Sequence, residues 1–372
     1  MSTAQSAINV GAIERELTAL WKQASEDDDG GVVRASILNL IVFNPDPAEV
    51  GQVDDMLIDI TAGHPCRVIS IVADRNAAEG TLTADVTSRC SLPTPTSKQV
   101  CCEQVTITAS PDHLDETPSA VVPLLIADLP VYLWWRAVPI AEDKQLFGRL
   151  VEVADRVVID SSQFNDPRGD LSNIAKAMRD KTRYAPMSDL NWARLTAWRA
   201  LVAGFYDVPE YRASLDKLSH VVIKYAPPAA DETAIATRAL LLGGWLASRL
   251  GWQVKAGATK QADKSTTFEL TKDGRTIALE FAHTERAIEP GHLALVTLTA
   301  DDDSGRVFSV RRSADGTRIE TSVTQADEKK AQRVLSYENL DETALVGREL
   351  EILGHDRMYE QAVLAAGELI NS

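Results

Sequence analysis

Blocks of positive charge are missing from this sequence: 38 lysines and arginines stand against 54 aspartates and glutamates over 372 residues, for a net charge of −16. Residues 1–214 carry 19 basic and 30 acidic side chains and residues 215–372 carry 19 and 24, so the acidity is general. A phosphate backbone would be repelled rather than gripped, which argues against nucleic acid as a partner. Cysteine is scarce. Four in so long a chain make no disulfide framework, and in a reducing compartment they read as thiols, metal ligands or redox sensors. No apolar run approaches the ~20 residues that span a bilayer, and the opening Met-Ser-Thr-Ala-Gln-Ser has no charged-then-apolar leader, so the expectation is a cytoplasmic protein with no membrane partner.

Catalytic signatures are also missing. There is no Gly-x-Gly-x-x-Gly after a strand, no phosphate loop ending in Lys-Ser/Thr, no Gly-x-Ser-x-Gly and no His-Glu-x-x-His. Six scattered histidines without i,i+4 spacing make no metal constellation. Asp301-Asp302-Asp303 lacks the rest of a calcium loop and reads as a solvated hairpin turn. Gly243 and Gly244 fall inside an expected helix, where small residues permit close helix packing. The reading is of a chain with no enzymatic activity, no cofactor and no metal.

What is present is an interleaving of helix and strand. Ile13, Leu17, Leu20 and Trp21 recur at helical spacing over residues 8–24. A strand-like run, 32–43, ends at Asn44-Pro-Asp-Pro47, and Val53, Met56, Leu57 and Ile60 mark a second helix. Strands are expected at 66–73, 81–88, 100–108, around Trp134 and at 156–159, with helices at 115–126, 168–181 and 189–204. After a boundary near 206–216 the pattern changes. A strand at 220–225 and a helix at 234–250 precede short alternating runs at 252–257, 266–272, 275–283, 292–300, 306–312 and 317–323, separated by turns such as Lys272-Asp-Gly-Arg275, and helices at 339–353 and 355–370 close the chain. The fold class expected is therefore an α/β N-terminal domain (1–210) with a mixed sheet and an α+β C-terminal domain (217–372) with an antiparallel sheet and flanking helices.

Three features stand out against this background. In Asp128-Leu-Pro-Val-Tyr-Leu-Trp-Trp-Arg136, vicinal indoles on a strand point to opposite faces, so one fills a core and the other is left for a partner, without the sequence saying which. Trp134, Trp135 and Arg136 are of the types that dominate protein interfaces, and are candidate contact residues. The segment Asp189-Leu-Asn-Trp-Ala-Arg-Leu-Thr-Ala-Trp-Arg199 has Asp189 as N-cap, Leu195, Trp198, Val202 and Phe205 on one stripe, and Arg194 and Arg199 near Arg179, Lys181 and Arg183, a local basic cluster. Arg183, Arg194 and Arg199 join the candidate partner residues. Among the cysteines, Cys101 is expected to face inward and Cys102 to be more accessible. Cys66 or Cys90 on neighbouring strands would come within reach of Cys102 or Cys101 for a reversible disulfide, and the pairing is open.

Pro65-Cys66-Arg67-Val68-Ile69, the run Val121–Trp135 and Asp189–Arg199, in that order, resemble the glucose-6-phosphate dehydrogenase assembly protein family, OpcA. The resemblance implies a non-catalytic accessory protein of cyanobacteria and actinobacteria. Such a protein binds glucose-6-phosphate dehydrogenase, promotes its active oligomer and activates it allosterically, in the setting of the pentose phosphate pathway and NADPH supply. Thioredoxin is a candidate second partner through Cys66, Cys90, Cys101 and Cys102. The alternative reading is a phosphosugar- or nucleotide-binding enzyme or sensor, with the basic cluster holding phosphate.

Overall fold

A computed structural model describes residues 8–27, 33–91, 100–139, 144–180, 185–302, 305–326, 328–338, 340–352 and 354–372. In chain order the first elements are α1 (Val10–Asp27), β1 (Val33–Arg34), β2 (Leu38–Asn44), α2 (Val50–Gly63), β3 (Cys66–Ala73), β4 (Leu82–Ser91) and β5 (Val100–Ala109). Next come α3 (Thr117–Leu124), β6 (Val131–Trp135), α4 (Lys144–Val151), β7 (Arg156–Ile159), α5 (Pro167–Arg179), β8 (Met187–Asp189), α6 (Leu190–Ala193), α7 (Thr196–Gly204) and α8 (Arg212–Leu215). The remainder is β9 (Leu218–Tyr225), α9 (Thr237–Leu250), β10 (Gln253–Ala262), β11 (Ser265–Lys272), β12 (Arg275–His283), β13 (Leu293–Ala300), β14 (Val307–Arg312), β15 (Arg318–Gln325), β16 (Glu328–Ser336), α10 (Glu342–Leu350) and α11 (Arg357–Ile370).

Two compact units result, and their boundaries differ from the expected break near 210. The first holds residues 1–160, 183–188 and 341–355, and the second holds 161–182, 189–340 and 356–372. The reason is packing: α5 lies against α11 and α9, and α6 against α9, so the segment after β7 belongs with the second core. Conversely α10, late in the chain, packs on α2 in the first.

The first unit is α/β with a mixed sheet. Its strands run β5-β3-β2-β6-β7-β8, with the bonded neighbours from β5 to β7 all parallel, while β4 lies antiparallel along β5 and the short β1 pairs with the start of β5. Every residue of β2 and β3 is buried, as parallel strands covered on both faces require, and both are near-continuous apolar runs. Counting β2, β3, β5, β6, β7 and β8 as one to six gives 3-2-1-4-5-6, the order of a doubly wound dinucleotide-type sheet.

The second unit carries a mostly antiparallel sheet, β10-β11-β12-β9-β13-β14-β15-β16, in which β12 pairs parallel with β9. The Asp273-Gly274 turn between β11 and β12 has both residues at positive φ, the two-residue hairpin its sequence announces. Helix α9 covers one face and packs on α11. Gly243 lies under the Phe281 ring and Gly244 against the backbone of α11 at Ala362 and Ala366, so the glycine pair serves close packing.

Candidate functional sites

The Trp-Trp-Arg run sits at the topological switch point of the parallel sheet. The chain steps outward from β2 to β3 to β5, then returns to β6 on the other side of β2, so the carboxyl ends of β2 and β6 flank the crevice where such sheets take ligands. Phe43 and Asn44 end β2 there, Trp135 ends β6, and Arg136 follows it. The loop before β6 is held by buried Asn39, whose Nδ2 donates to the carbonyls of Ile126 (3.0 Å) and Leu129 (3.3 Å) and whose Oδ1 accepts from the Ile126 amide (2.8 Å).

Both indoles are buried, each 1% exposed, which corrects the expectation that alternation would leave one for a partner. Alternation does send them to opposite faces, but a parallel sheet is covered on both. Trp135 stacks on Phe43 at 3.9 Å and meets the edge of Phe147 at 5.0 Å. Arg136 lies 5.5 Å from the Trp134 ring, donates to Asn44 Oδ1 at 2.6 Å and pairs with Glu49 at 3.0 Å. Glu342 is 3.7 Å from its Nε, an ion pair too long to be a hydrogen bond. The crevice is ill suited to a pyrophosphate. The turn after β2 has no glycine, Pro47 offers no amide, and the Asp46 and Glu49 carboxylates stand where phosphate would approach α2.

The cysteines lie at the other edge of the sheet. Cys90 on β4 is exposed, faces buried Cys101 on β5 and is disulfide-bonded to it. Cys66 and Cys102 are thiols, and Cys102 is buried, contrary to expectation, because α2 covers its face: its Sγ lies 3.9 Å from the Thr61 carbonyl. Burial pushes both thiols up. For Cys102 an amide hydrogen bond from Cys66 opposes the rise and the Glu103 charge adds to it. Glu103 is itself buried and accepts from Arg67 (2.6 Å), Arg34 (2.6 Å) and Trp21.

The second sequence motif is built into the other unit. Asp189 caps α6 through the Asn191 amide (2.9 Å) and also accepts from the Ser161 amide (3.0 Å) and hydroxyl (2.6 Å). Leu195, Trp198, Val202 and Phe205 are buried as their stripe requires, although a turn at Arg194-Leu195 splits the single expected helix into α6 and α7. The Arg199 guanidinium lies over the Trp192 ring, 3.5 Å from its centroid, and the indole Nε1 donates to Asp356 at 2.9 Å.

Of the expected basic cluster, Arg179 pairs with Glu368 at the surface, and Arg183 and Lys181 lie outside the described residues. Arg194 shares the surroundings of His292 with Arg238 and Arg312, which sequence reasoning missed because they are 44 and 118 residues further on. Arg238, only 4% exposed, donates from Nε to Asn191 Oδ1 at 2.7 Å and lines a cleft of about 200 Å³ with Ser162, Asn191, Thr237 and Gly291. Burial, then these three guanidiniums, push His292 down to about 3, so its neutral Nδ1 accepts from Arg312 at 2.7 Å. Glu289, 3.2 Å away and well exposed, does not outweigh them. Among the described residues no group of three or more His, Cys, Asp or Glu is gathered as a metal would need, and no helix is long and apolar enough to cross a membrane.

Residues 58–176 match a family described as the glucose-6-phosphate dehydrogenase subunit N-terminal domain, and residues 185–363 match its C-terminal domain. The chain is 30% identical to the OxPP cycle protein OpcA of Nostoc punctiforme, over 82% of this chain and 65% of that one. It is 27% identical to the OpcA protein of Synechocystis sp., over 86% and 66%. It thus spans slightly less than two-thirds of these relatives' lengths. Solved structures are similar only remotely. Gal80p from Saccharomyces cerevisiae, as its super-repressor mutant, gives a TM-score of 0.47 at 8% identity, covering 91% of this chain and 95% of the other, too distant to carry an argument.

Proposed function

We infer function from a plain premise: this chain belongs to the OpcA family, the glucose-6-phosphate dehydrogenase assembly proteins. The reading is a cytoplasmic accessory protein of the oxidative pentose phosphate pathway that binds glucose-6-phosphate dehydrogenase and favours its active oligomer, without turnover of its own. The observation that carries it is the family match across both domains, 58–176 and 185–363. The turn that leads from β2 into α2 supports it from the other side, since Asn44-Pro-Asp-Pro-Ala-Glu49 has no glycine and carries the Asp46 and Glu49 carboxylates where a dinucleotide-type sheet would hold phosphate. Activation then equals differential affinity, and a tenfold shift toward the active enzyme needs about 1.4 kcal/mol.

Arg136, Arg194 and Arg199 remain the proposed contacts, together with Arg183; Trp134 supports Arg136 through its ring, 5.5 Å from the guanidinium, and Trp135 supports the end of β6 by its stack on Phe43. Thiol control completes the proposal. The Cys90–Cys101 disulfide has one exposed sulfur-bearing residue that a dithiol such as thioredoxin can attack. The test mixes the purified chain with the dehydrogenase of its own host and reads complex mass and the substrate saturation curve, with and without a dithiol. A complex and a leftward or steeper curve are expected. No complex and an unchanged curve under both conditions overturn the reading.

A further inference from the structure

The sheet of the second unit aligns one row of residues across five strands: Ser265 on β11, Ala282 on β12, Lys224 on β9, Leu295 on β13 and Arg311 on β14. Lys224 and Arg311 are exposed, whereas Ile223, Tyr225, Val310 and Arg312 beside them in sequence are buried, so the row lies on the face away from α9. Lys264 in the turn before β11 and Arg286 in the segment after β12 rise at the end of this row. Together these residues bound a concavity of about 500 Å³, within the size range of small-molecule sites.

Its charge is opposite to that of the protein. Lys224, Lys264, Arg286 and Arg311 line it against one carboxylate, Glu285. Among the described residues none of these four cations forms an ion pair, and Glu320, in register with Arg311, forms none either. The Arg286 guanidinium is held in place by donating to the Arg312 carbonyl at 2.7 Å. Four uncompensated cations converging from four elements repel one another, a cost that a bound dianion removes. The small side chains of Ser265 and Ala282 leave the middle of the row open, and Ser265 and Thr284 add hydroxyl donors.

We propose that this concavity binds a small phosphorylated metabolite, a sugar phosphate or a mononucleotide, through its phosphomonoester. The proposal is independent of the dehydrogenase reading, because it concerns the protein alone. The test is calorimetric and thermal-shift titration of the full chain with inorganic phosphate, a hexose 6-phosphate and adenosine monophosphate, at ionic strength fixed with chloride. Saturable stabilisation by inorganic phosphate is expected, with tighter binding of whichever ester fits the remaining volume. Lys224→Gln and Arg311→Gln should each weaken phosphate about tenfold, the loss of one charge-assisted hydrogen bond. Lys264→Gln gives the same readout from a turn remote from the core, and Lys329→Gln on the exposed strand β16 should change nothing. The proposal is overturned if phosphate gives no saturable effect at constant ionic strength, or if folded Lys224→Gln and Arg311→Gln bind it as the parent does. Stabilisation by a polyglutamate peptide with none by phosphate or either ester would equally overturn it.

Discussion

Cys90 and Cys101 stand directly opposite each other on the antiparallel pair β4 and β5, with Cα atoms 4.0 Å apart, and share a disulfide. Cys66 and Cys102, each two residues before the paired Val68 and Gln104 of neighbouring parallel strands, stay reduced and deeply buried. The four cysteines thus divide into one bridge with an accessible end and two thiols whose thiolates burial disfavours. A dithiol is expected to lower the melting temperature of the oxidised protein. Cys90→Ser should reproduce that loss and abolish the response. Closing a loop of this size is worth about 2–3 kcal/mol. Thermal melts with and without reductant check this, and a response that survives in Cys90→Ser would assign it to another pair.

A second prediction concerns the charge buried beside the bridge. Glu103 is 2% exposed and is neutralised by Arg67, itself buried and also bonded to Glu14 (2.9 Å) and the Leu124 carbonyl (2.7 Å). Arg67→Met leaves Glu103 with the half-exposed Arg34 (2.6 Å) as its remaining counter-charge, so it is expected to destabilise by about 3 kcal/mol, whereas Arg67→Met with Glu103→Leu should recover much of the loss. Urea unfolding of the two variants measures the difference. Equal midpoints for single and double variants would show that the pair carries no such penalty.

Trp135 tests whether the opening motif serves the core. Its ring is sandwiched by Phe43 and Phe147, so Trp135→Ala should cost about 3–5 kcal/mol and Trp135→Phe, which keeps the stack on Phe43, distinctly less. Denaturant midpoints decide this. A stable Trp135→Ala that merely failed to bind a partner would contradict the burial.

Much of this was legible in the sequence wherever one residue pattern dictates one environment. The apolar runs of β2 and β3, the Asp-Gly hairpin after β11, the Asp189 cap and the Leu195-Trp198-Val202-Phe205 stripe all appear where periodicity and turn chemistry place them. What was illegible depends on partners distant in the chain. β16 was missed because all nine of its residues are exposed at the sheet edge, so it has no buried face to produce alternation. The fate of Trp134 and Trp135 turned on helices covering both faces of β6, and the gathering of Arg194, Arg238 and Arg312 on contacts across more than a hundred residues. The same holds for the row from Ser265 to Arg311, since only the pairing register puts Lys224 beside residues from β12 and β13.

His292 gives an expected pH dependence. Its folded value is depressed to about 3 from an ordinary 6.5, so below 6.5 the unfolded chain takes up a proton that the folded chain refuses. Its contribution to stability is therefore present above about pH 6.5 and is lost progressively as pH falls toward 3. His292→Gln, which cannot protonate but still offers an acceptor to Arg312, should flatten that part of the acid limb relative to the parent. Denaturant midpoints at pH 7, 5 and 4 test it, and parallel curves for the two proteins would remove His292 as the cause.

The last prediction sets helix propensity against packing in one substitution. In the interior of a helix alanine is favoured over glycine by about 1 kcal/mol, so Gly→Ala is stabilising wherever space allows. At Gly148 in α4 no atom outside the local helix approaches the site, and Gly148→Ala is expected to raise stability by up to about 1 kcal/mol. At Gly244 in α9 the added methyl would collide with the Ala362 carbonyl oxygen and stand 2.8 Å from the Ala366 amide nitrogen, both backbone atoms of α11 that cannot swing aside. The two helices must then separate, and overpacking of this kind costs about 1–3 kcal/mol, more than propensity returns. Gly244→Ala should therefore destabilise while Gly148→Ala stabilises, a difference in sign that denaturant midpoints resolve without calibration. A stabilised Gly244→Ala would mean that α9 and α11 do not approach as closely as their shared backbone contact requires.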